Sequence, residues 1–199
     1  DMPISKSPNY SSKYIMAVRN PMTIIPSSAN SKSIKYHGAV GQDTEDQWRS
    51  MRDTWFEGTL KGWKNTIVTW KKTEYELGMY LVYEDLMDVE KGPETMKKLR
   101  TLLSAEGFNV AEEEDVACIW YNAIGKESLE RHHKLHYDYE DYIPGYTTAQ
   151  KEAMLKELSD MMKEYENDDA LVDVLAMYKS DVEKNMRIDE VTAKEVNQS

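Results

Sequence analysis

The fold of this chain is decided by the stretch Tyr14-Ile15-Met16-Ala17-Val18-Arg19-Asn20-Pro21-Met22-Thr23-Ile24-Ile25-Pro26-Ser27. Its first five residues are apolar and rich in β-branched and aromatic side chains, which predicts a buried strand. Asn20 is a favoured helix N-cap residue, and Pro21 suits the first helical turn because its missing N–H has no helical partner there. We therefore expect a strand, a turn at Arg19 and a helix that Pro26 keeps short or bends.

A second strand is predicted at Met79-Tyr80-Leu81-Val82-Tyr83, directly before Glu84-Asp85. Between the two strands, Thr44-Glu45-Asp46-Gln47 has the spacing of a capping box and predicts the start of a long helix. Further helices are predicted from Gly92-Pro93, over Val110 to Asn122, and from Thr147 to Tyr165. This succession of strand, helices, strand and helices predicts a helix-rich α/β fold with a parallel sheet.

The predicted long helix carries large apolar side chains close to one face. They are Trp48, Met51, Trp55, Trp63, Ile67 and Trp70. A stripe with helical spacing is typical of a core-facing helix, so we expect the four tryptophans in it to be buried.

The composition bounds the function. With 40% hydrophobic and 31% charged residues, the 199 residues fit one globular domain with a sizeable core. The formal net charge of -11 argues against a nucleic-acid partner or an anionic membrane surface, since either needs a broad basic face. No apolar run approaches the roughly 18 residues that span a bilayer, so any membrane anchor is expected outside these residues.

Charge is unevenly distributed along the chain. No acidic residue lies between Asp1 and Asp43, whereas this stretch contains several lysines and Arg19. It is either a solvated basic loop or a local trap for anions. After Glu166 the chain is acidic and weakly patterned, and we expect a loosely attached helix and a disordered tail there.

The sequence offers no strong metal motif. Cys118 is the one cysteine, which excludes an internal disulfide and a cysteine-based zinc knuckle. His132, His133 and His136 include a pair at i and i+4, but no acidic or sulfur ligand accompanies them in a known pattern. We expect no metal.

The segment Tyr14 to Ser27 resembles the second nucleotide-binding motif of sulfotransferases that use 3'-phosphoadenosine 5'-phosphosulfate (PAPS). The element Met79-Tyr80-Leu81-Val82-Tyr83-Glu84-Asp85-Leu86 is similar to a later strand in that family. Two finer features are similar to the WSC-domain-containing sulfotransferase-like proteins. They are His37-Gly38-Ala39-Val40-Gly41 and the run from Asp115-Val116-Ala117-Cys118 through Gly125 to Leu129-Glu130-Arg131-His132.

The resemblance implies roles for particular residues. Arg19 and Ser27 correspond to the pair that binds the 3'-phosphate of the cofactor, and an arginine fork with a nearby hydroxyl suits phosphate chemically. The start of the helix, at Asn20 to Thr23, is expected to add N–H donors. Arg131 and Lys134 occupy the place of the family's late basic loop, although its usual Arg-Lys-Gly-x-x-Gly form is absent.

The catalytic residues are not named by the sequence. His37 is a candidate base that would take a proton from the acceptor hydroxyl, and its alternative is a loop histidine beside glycines. Glu84 and Asp85 are more simply explained by helix capping and ion pairing than by catalysis. The family's first motif, a glycine-bearing phosphate loop with Lys-Ser or Lys-Thr, has no counterpart in these residues.

The resemblance therefore implies a three-layer P-loop-type parallel sheet flanked by helices and incomplete at its N-terminus. We divide the chain into a partial sulfotransferase domain, residues 1–166, and an acidic C-terminal helix and tail, residues 167–199. The implied activity is transfer of a sulfuryl group from PAPS to a hydroxyl of a glycan-like or small-molecule acceptor. We expect the excerpt alone to be inactive.

Two other classes stay open. The chain could be noncatalytic, either an α-rich module that binds a protein partner or a degenerate sulfotransferase fragment. It could also be a P-loop kinase-like enzyme that prefers ATP to a 3',5'-bisphosphorylated nucleotide. Family resemblance implies the Golgi lumen or membrane as the location, with the cytoplasm as the alternative.

Overall fold

The structure, a computed structural model, describes residues 13–25, 45–125 and 145–196. The chain divides into two compact units. Unit 1 consists of Asp1–Val18 and Thr69–Arg131, and unit 2 consists of Arg19–Val68 and His132–Ser199. The predicted division at residues 166 and 167 stays a prediction.

Unit 1 contains a two-stranded parallel sheet. Strand β1 (Lys13–Val18) pairs with β2 (Glu76–Val82), with Met16 opposite Tyr80 and Val18 opposite Val82. Both predicted strands are confirmed, and Tyr83 already belongs to the next helix. The first strand is joined to the second by a crossover that contains a long helix, as a parallel pair requires. The molecule is thus a helix-rich α/β protein with a parallel sheet.

The helices of unit 1 follow β2 along the chain. They are α2 (Tyr83–Met87), α3 (Lys91–Ala105), a 3₁₀ turn (Glu113–Asp115), α4 (Val116–Trp120) and a π-helical turn (Tyr121–Gly125). Gly107 follows the C-cap residue of helix α3, and its φ of +83° is the left-handed conformation that glycine adopts without strain. Gly107 N–H donates to Ser104 and Phe108 N–H donates to Leu103, which makes this end a Schellman motif.

The described residues of unit 2 are mainly helical. Residues 21–25 are helical, and α1 (Glu45–Lys71) begins where the capping-box pattern predicts. Helix α5 (Thr148–Glu164) opens with a capping box in which Thr147 and Gln150 satisfy each other's backbone N–H groups. Helix α6 (Asp169–Val196) follows after a short turn. No helix in the described ranges is both long and apolar enough to cross a membrane.

The structure corrects the expectation for the segment after Glu166. Helix α6 packs along α5, and its inner side chains are completely buried. Those of α6 are Leu171, Leu175, Tyr178 and Val182, and those of α5 are Met154, Leu158 and Met161. The prediction of a loosely attached helix was therefore wrong. Acidic residues lie between these apolar ones in the sequence and make the apolar stripe hard to recognise.

The tryptophan stripe is confirmed only in part. Trp63 and Ile67 are buried, but Trp70 is 45% exposed and stacks on Tyr14 of β1, ring centroids 5.5 Å apart. The buried stripe of α1 is instead Phe56, Leu60, Trp63 and Ile67. Trp48 and Met51 lie outside the described side chains.

Candidate functional site

The turn that follows β1, residues Arg19 to Ile24, is the part of the predicted site that the structure describes. We call it the Arg19 turn. Asn20 is 3% exposed and acts as the helix cap that the sequence predicts, because its Oδ1 accepts a hydrogen bond from Met22 N–H at 2.9 Å. The Asn20 carbonyl accepts from the N–H groups of Thr23 and Ile24, both at 3.0 Å.

These hydrogen bonds change which groups of the turn can donate to a bound anion. Pro21 has no N–H, and the N–H groups of Met22, Thr23 and Ile24 are all bonded to Asn20. Because the first helical turn is satisfied internally, an anion at this turn has to be held mainly by side chains. This corrects the expectation that the start of the helix supplies N–H donors.

Arg19 and Thr23 are brought together. The Arg19 Nε donates to Thr23 Oγ1 at 3.2 Å, and the same hydroxyl donates to the Asn20 carbonyl at 3.0 Å. The contact fixes the direction of the guanidinium relative to the helix. Arg19 and Thr23 are both partly exposed, so this pair can reach a ligand.

Three residues from distant parts of unit 2 hold the Arg19 turn. Trp63 Nε1 donates to the Arg19 carbonyl at 2.9 Å, and Tyr146 OH donates to the Met22 carbonyl at 3.0 Å. Asn20 Nδ2 donates to Asp181 Oδ2 on α6 at 3.0 Å. These three hydrogen bonds tether the backbone and the cap of the turn to distant parts of unit 2.

Sequence reasoning missed these three residues. Trp63 was expected in the core, which is where it lies, but its indole N–H gave no sign of its partner. The bonds join residues 44, 124 and 161 positions apart, and no local spacing rule reaches so far. The indole, phenol and carboxylate were visible in the sequence, but only the fold determines what they contact.

Asp181 is the acidic group that contacts the turn through Asn20. Burial raises the pKa of Asp181 above its ordinary value of 3.8, and the favourable contacts with Lys184 and Asn20 only partly oppose that effect. The carboxylate therefore carries a desolvation cost in the native state, and its hydrogen bond to Asn20 offsets part of it.

A cleft of about 540 Å³ lies between α1 and α5, also within unit 2. Phe56, Leu60, Ala149 and Ala153 supply its apolar lining. The polar lining consists of Asp53, Glu57, Lys61, Lys64, Asn65, Gln150, Lys156 and Glu157. Lys64 and Glu157 form an ion pair at 2.7 Å inside it. None of the sequence-predicted site residues lines this cleft.

The remaining predicted residues lie outside the described ranges. They are Ser27, His37, Arg131 and Lys134, together with the three neighbouring histidines. Their assignments stay predictions. Within the residues that the structure describes, no cluster of histidine, cysteine and carboxylate side chains could hold a metal ion.

Glu84 and Asp85 begin α2, in its first turn. Asp85 pairs with Lys91 at 2.9 Å, which accords with the simpler explanation that it is a structural residue.

Comparison of the chain with protein-family models found no match, and searches of the curated proteins and of the solved structures found none either.

Proposed function

We propose that this chain is the later part of a PAPS-dependent sulfotransferase domain. The observation that carries the proposal is the parallel pairing of β1 with β2. The motifs Arg19-Asn20-Pro21 and Tyr83-Glu84-Asp85-Leu86, on which the resemblance depends, each follow one of these two strands directly. In α/β folds, ligands commonly bind beyond the carboxyl ends of parallel strands.

In the proposed site, Arg19 and Thr23 bind the 3'-phosphate of the cofactor, and the resemblance implies the same role for Ser27, Arg131 and Lys134. The contact between Arg19 and Thr23 supports this role, because a guanidinium held in one plane suits the oxygens of a phosphate. Since the chain has a net charge of -11, an anionic cofactor depends on such local cations.

The reaction is an in-line displacement at sulfur. The acceptor oxygen forms a bond to sulfur while the bond between sulfur and the nucleotide's phosphate oxygen breaks, and adenosine 3',5'-bisphosphate leaves. The acceptor's proton passes to a base, for which His37 is the candidate in this sequence. Cationic side chains stabilise the negative charge that develops on the leaving nucleotide.

The same proposal makes β1 and β2 part of a larger, three-layer P-loop-type parallel sheet. Ile15 of β1 is 38% exposed, and within β2 only Val82 is buried. Parallel sheets are normally covered on both faces, so these strands support a sheet with further members. The proposal also requires a phosphate loop from outside the 199 residues, because no glycine-rich loop with Lys-Ser or Lys-Thr occurs in them.

We place the acceptor beside α1, where the cleft between α1 and α5 combines an apolar base with polar groups. Phe56 and Leu60, which are almost wholly buried, contribute to the apolar base of the cleft, and Glu57 and Asn65 can bond hydroxyl groups. A glycan-like or small hydroxyl compound is the class of ligand that suits such a lining.

The nucleotide preference of the chain tests the proposal. Calorimetric titrations with adenosine 3',5'-bisphosphate, ATP and AMP compare three ligands that share an adenosine and differ in their phosphates. The sulfotransferase assignment predicts the tightest binding for the bisphosphate. Preference for ATP would instead favour the kinase-like class.

A noncatalytic binding module is the second candidate, and a specific observation favours it. The exposed large apolar side chains of the described residues all belong to unit 1. They are Ile15, Trp70, Tyr75, Val89, Phe108, Ile119 and Tyr121. Contiguous exposed apolar patches mark protein-binding faces, and the concentration of these side chains in one unit is what favours such a face. This candidate predicts no saturable binding of any of the three nucleotides.

A further inference from the structure

Helix α6 contacts the Arg19 turn through the carboxylate of Asp181. Asp181 Oδ2 accepts a hydrogen bond from Asn20 Nδ2 at 3.0 Å, and the neighbouring helix residues Tyr178 and Val182 are completely buried. Because packing fixes this part of α6, the carboxylate has a defined position.

The other half of the Asn20 side chain determines the turn. When Nδ2 donates to Asp181, Oδ1 is directed to Met22 N–H and accepts its hydrogen bond. The backbone carbonyl of Asn20 accepts a hydrogen bond from Thr23 Oγ1. Thr23 in turn accepts from Arg19 Nε. A continuous chain of hydrogen bonds therefore leads from Asp181 through Asn20 and Thr23 to the guanidinium of Arg19.

We infer that Asp181 is a positioning residue for the anion-binding pair Arg19 and Thr23. It holds the Asn20 amide in the orientation that caps the helix, and the cap holds Thr23 where it directs Arg19. The acidic helix α6 is in this way a part of the nucleotide site, although Asp181 touches no ligand. The inference rests on the proposed function, since it names the device that prepares the proposed 3'-phosphate site.

The test uses the whole chain and two ligands, adenosine 3',5'-bisphosphate and AMP, which differ in the 3'-phosphate. The ratio of their dissociation constants measures selectivity for that phosphate. Asp181→Ala removes the acceptor, and Asp181→Asn keeps an oxygen of the same reach. Asp181→Glu displaces the carboxylate by one methylene and serves if the alanine variant does not fold. Asp173→Ala removes an exposed carboxylate of the same helix and is the matched control.

We expect Asp181→Ala and Asp181→Glu to lower the selectivity about tenfold, the size of effect typical of a lost helix cap. Asp181→Asn and Asp173→Ala keep the wild-type ratio within about twofold. If Asp181→Asn keeps the wild-type selectivity and Asp181→Ala does not, the loss is caused by the missing hydrogen-bond acceptor and not by general destabilisation.

The outcomes separate the two claims. A selective wild-type chain whose selectivity survives both Asp181→Ala and Asp181→Glu overturns the positioning role and leaves the proposed function intact. A wild-type chain that does not prefer the bisphosphate overturns the proposed function itself, and the positioning role with it.

Discussion

Asn20 is the residue on which the candidate site depends most. Its side-chain oxygen accepts a hydrogen bond from Met22 N–H, and its side-chain nitrogen donates to Asp181. Its carbonyl oxygen accepts from Thr23 and Ile24. Sequence identified it as a cap from its residue type and its place before a proline. What sequence did not provide was the partner of the amide nitrogen, because that partner lies on the last helix of the chain.

Asp181 gives a pH prediction. Burial raises the pKa of Asp181 in the native state above its ordinary value of 3.8, so the native state binds this proton more tightly than the unfolded chain does. The contribution of this group to stability is therefore greatest below pH 3.8 and is lost as the pH rises through the native pKa. Asp181→Asn has no such dependence.

We accordingly expect the stability of Asp181→Asn relative to wild type to increase from about pH 3.5 to pH 7. Urea unfolding of both proteins at a series of pH values measures the difference and cancels the shared effect of other carboxylates. A relative stability that instead decreases with pH would mean that the bond to Asn20 outweighs the desolvation of the carboxylate.

Among the elements, α1 shows a difference between the predicted core stripe and the side chains that are buried. The tryptophans were predicted to form the core stripe, but the buried positions are Phe56, Leu60, Trp63 and Ile67, which follow helical spacing closely. Trp70 lies near the helix end and stacks on Tyr14 while remaining partly exposed. The predicted stripe and the buried one share Trp63 and Ile67, so helical spacing located the buried face only approximately.

The contact between α3 and α4 allows a test of packing. A Cβ on Gly92 would overlap the indole of Trp120, with Cζ2 at 2.6 Å. Trp120 is buried and its Nε1 donates to the Leu86 carbonyl at 2.8 Å, so the ring has little freedom to move. We expect Gly92→Ala to destabilise the protein by about 1–3 kcal/mol.

The matched control for Gly92→Ala is Gly62→Ala in α1. A Cβ at Gly62 meets nothing within 4 Å, so the substitution adds only helix propensity and stabilises by about 0.5–1 kcal/mol. Urea unfolding followed by circular dichroism measures both changes. Equal effects of the two substitutions would contradict the packing of Gly92 against Trp120.

At the scale of the whole molecule, the two units differ in how completely they bury their side chains. Among the residues that the structure describes, the largest fully buried side chains all belong to unit 2, whereas the exposed large apolar ones belong to unit 1. The sequence predicted the parallel sheet and most helices from local patterns. It did not predict this contrast, because the completeness of a core depends on which elements meet and not on the pattern of any one of them.

The claim that unites these scales is that Arg19 binds the 3'-phosphate of a nucleotide. The most direct measurement is calorimetric titration of adenosine 3',5'-bisphosphate into wild type, Arg19→Ala and the control Arg187→Ala, which removes an exposed arginine from α6. We expect saturable binding by wild type and Arg187→Ala, and a loss of at least about tenfold in affinity for Arg19→Ala, as expected for a charged hydrogen bond to phosphate. Equal binding by all three proteins, or by none, would contradict the assignment of Arg19 to the cofactor site.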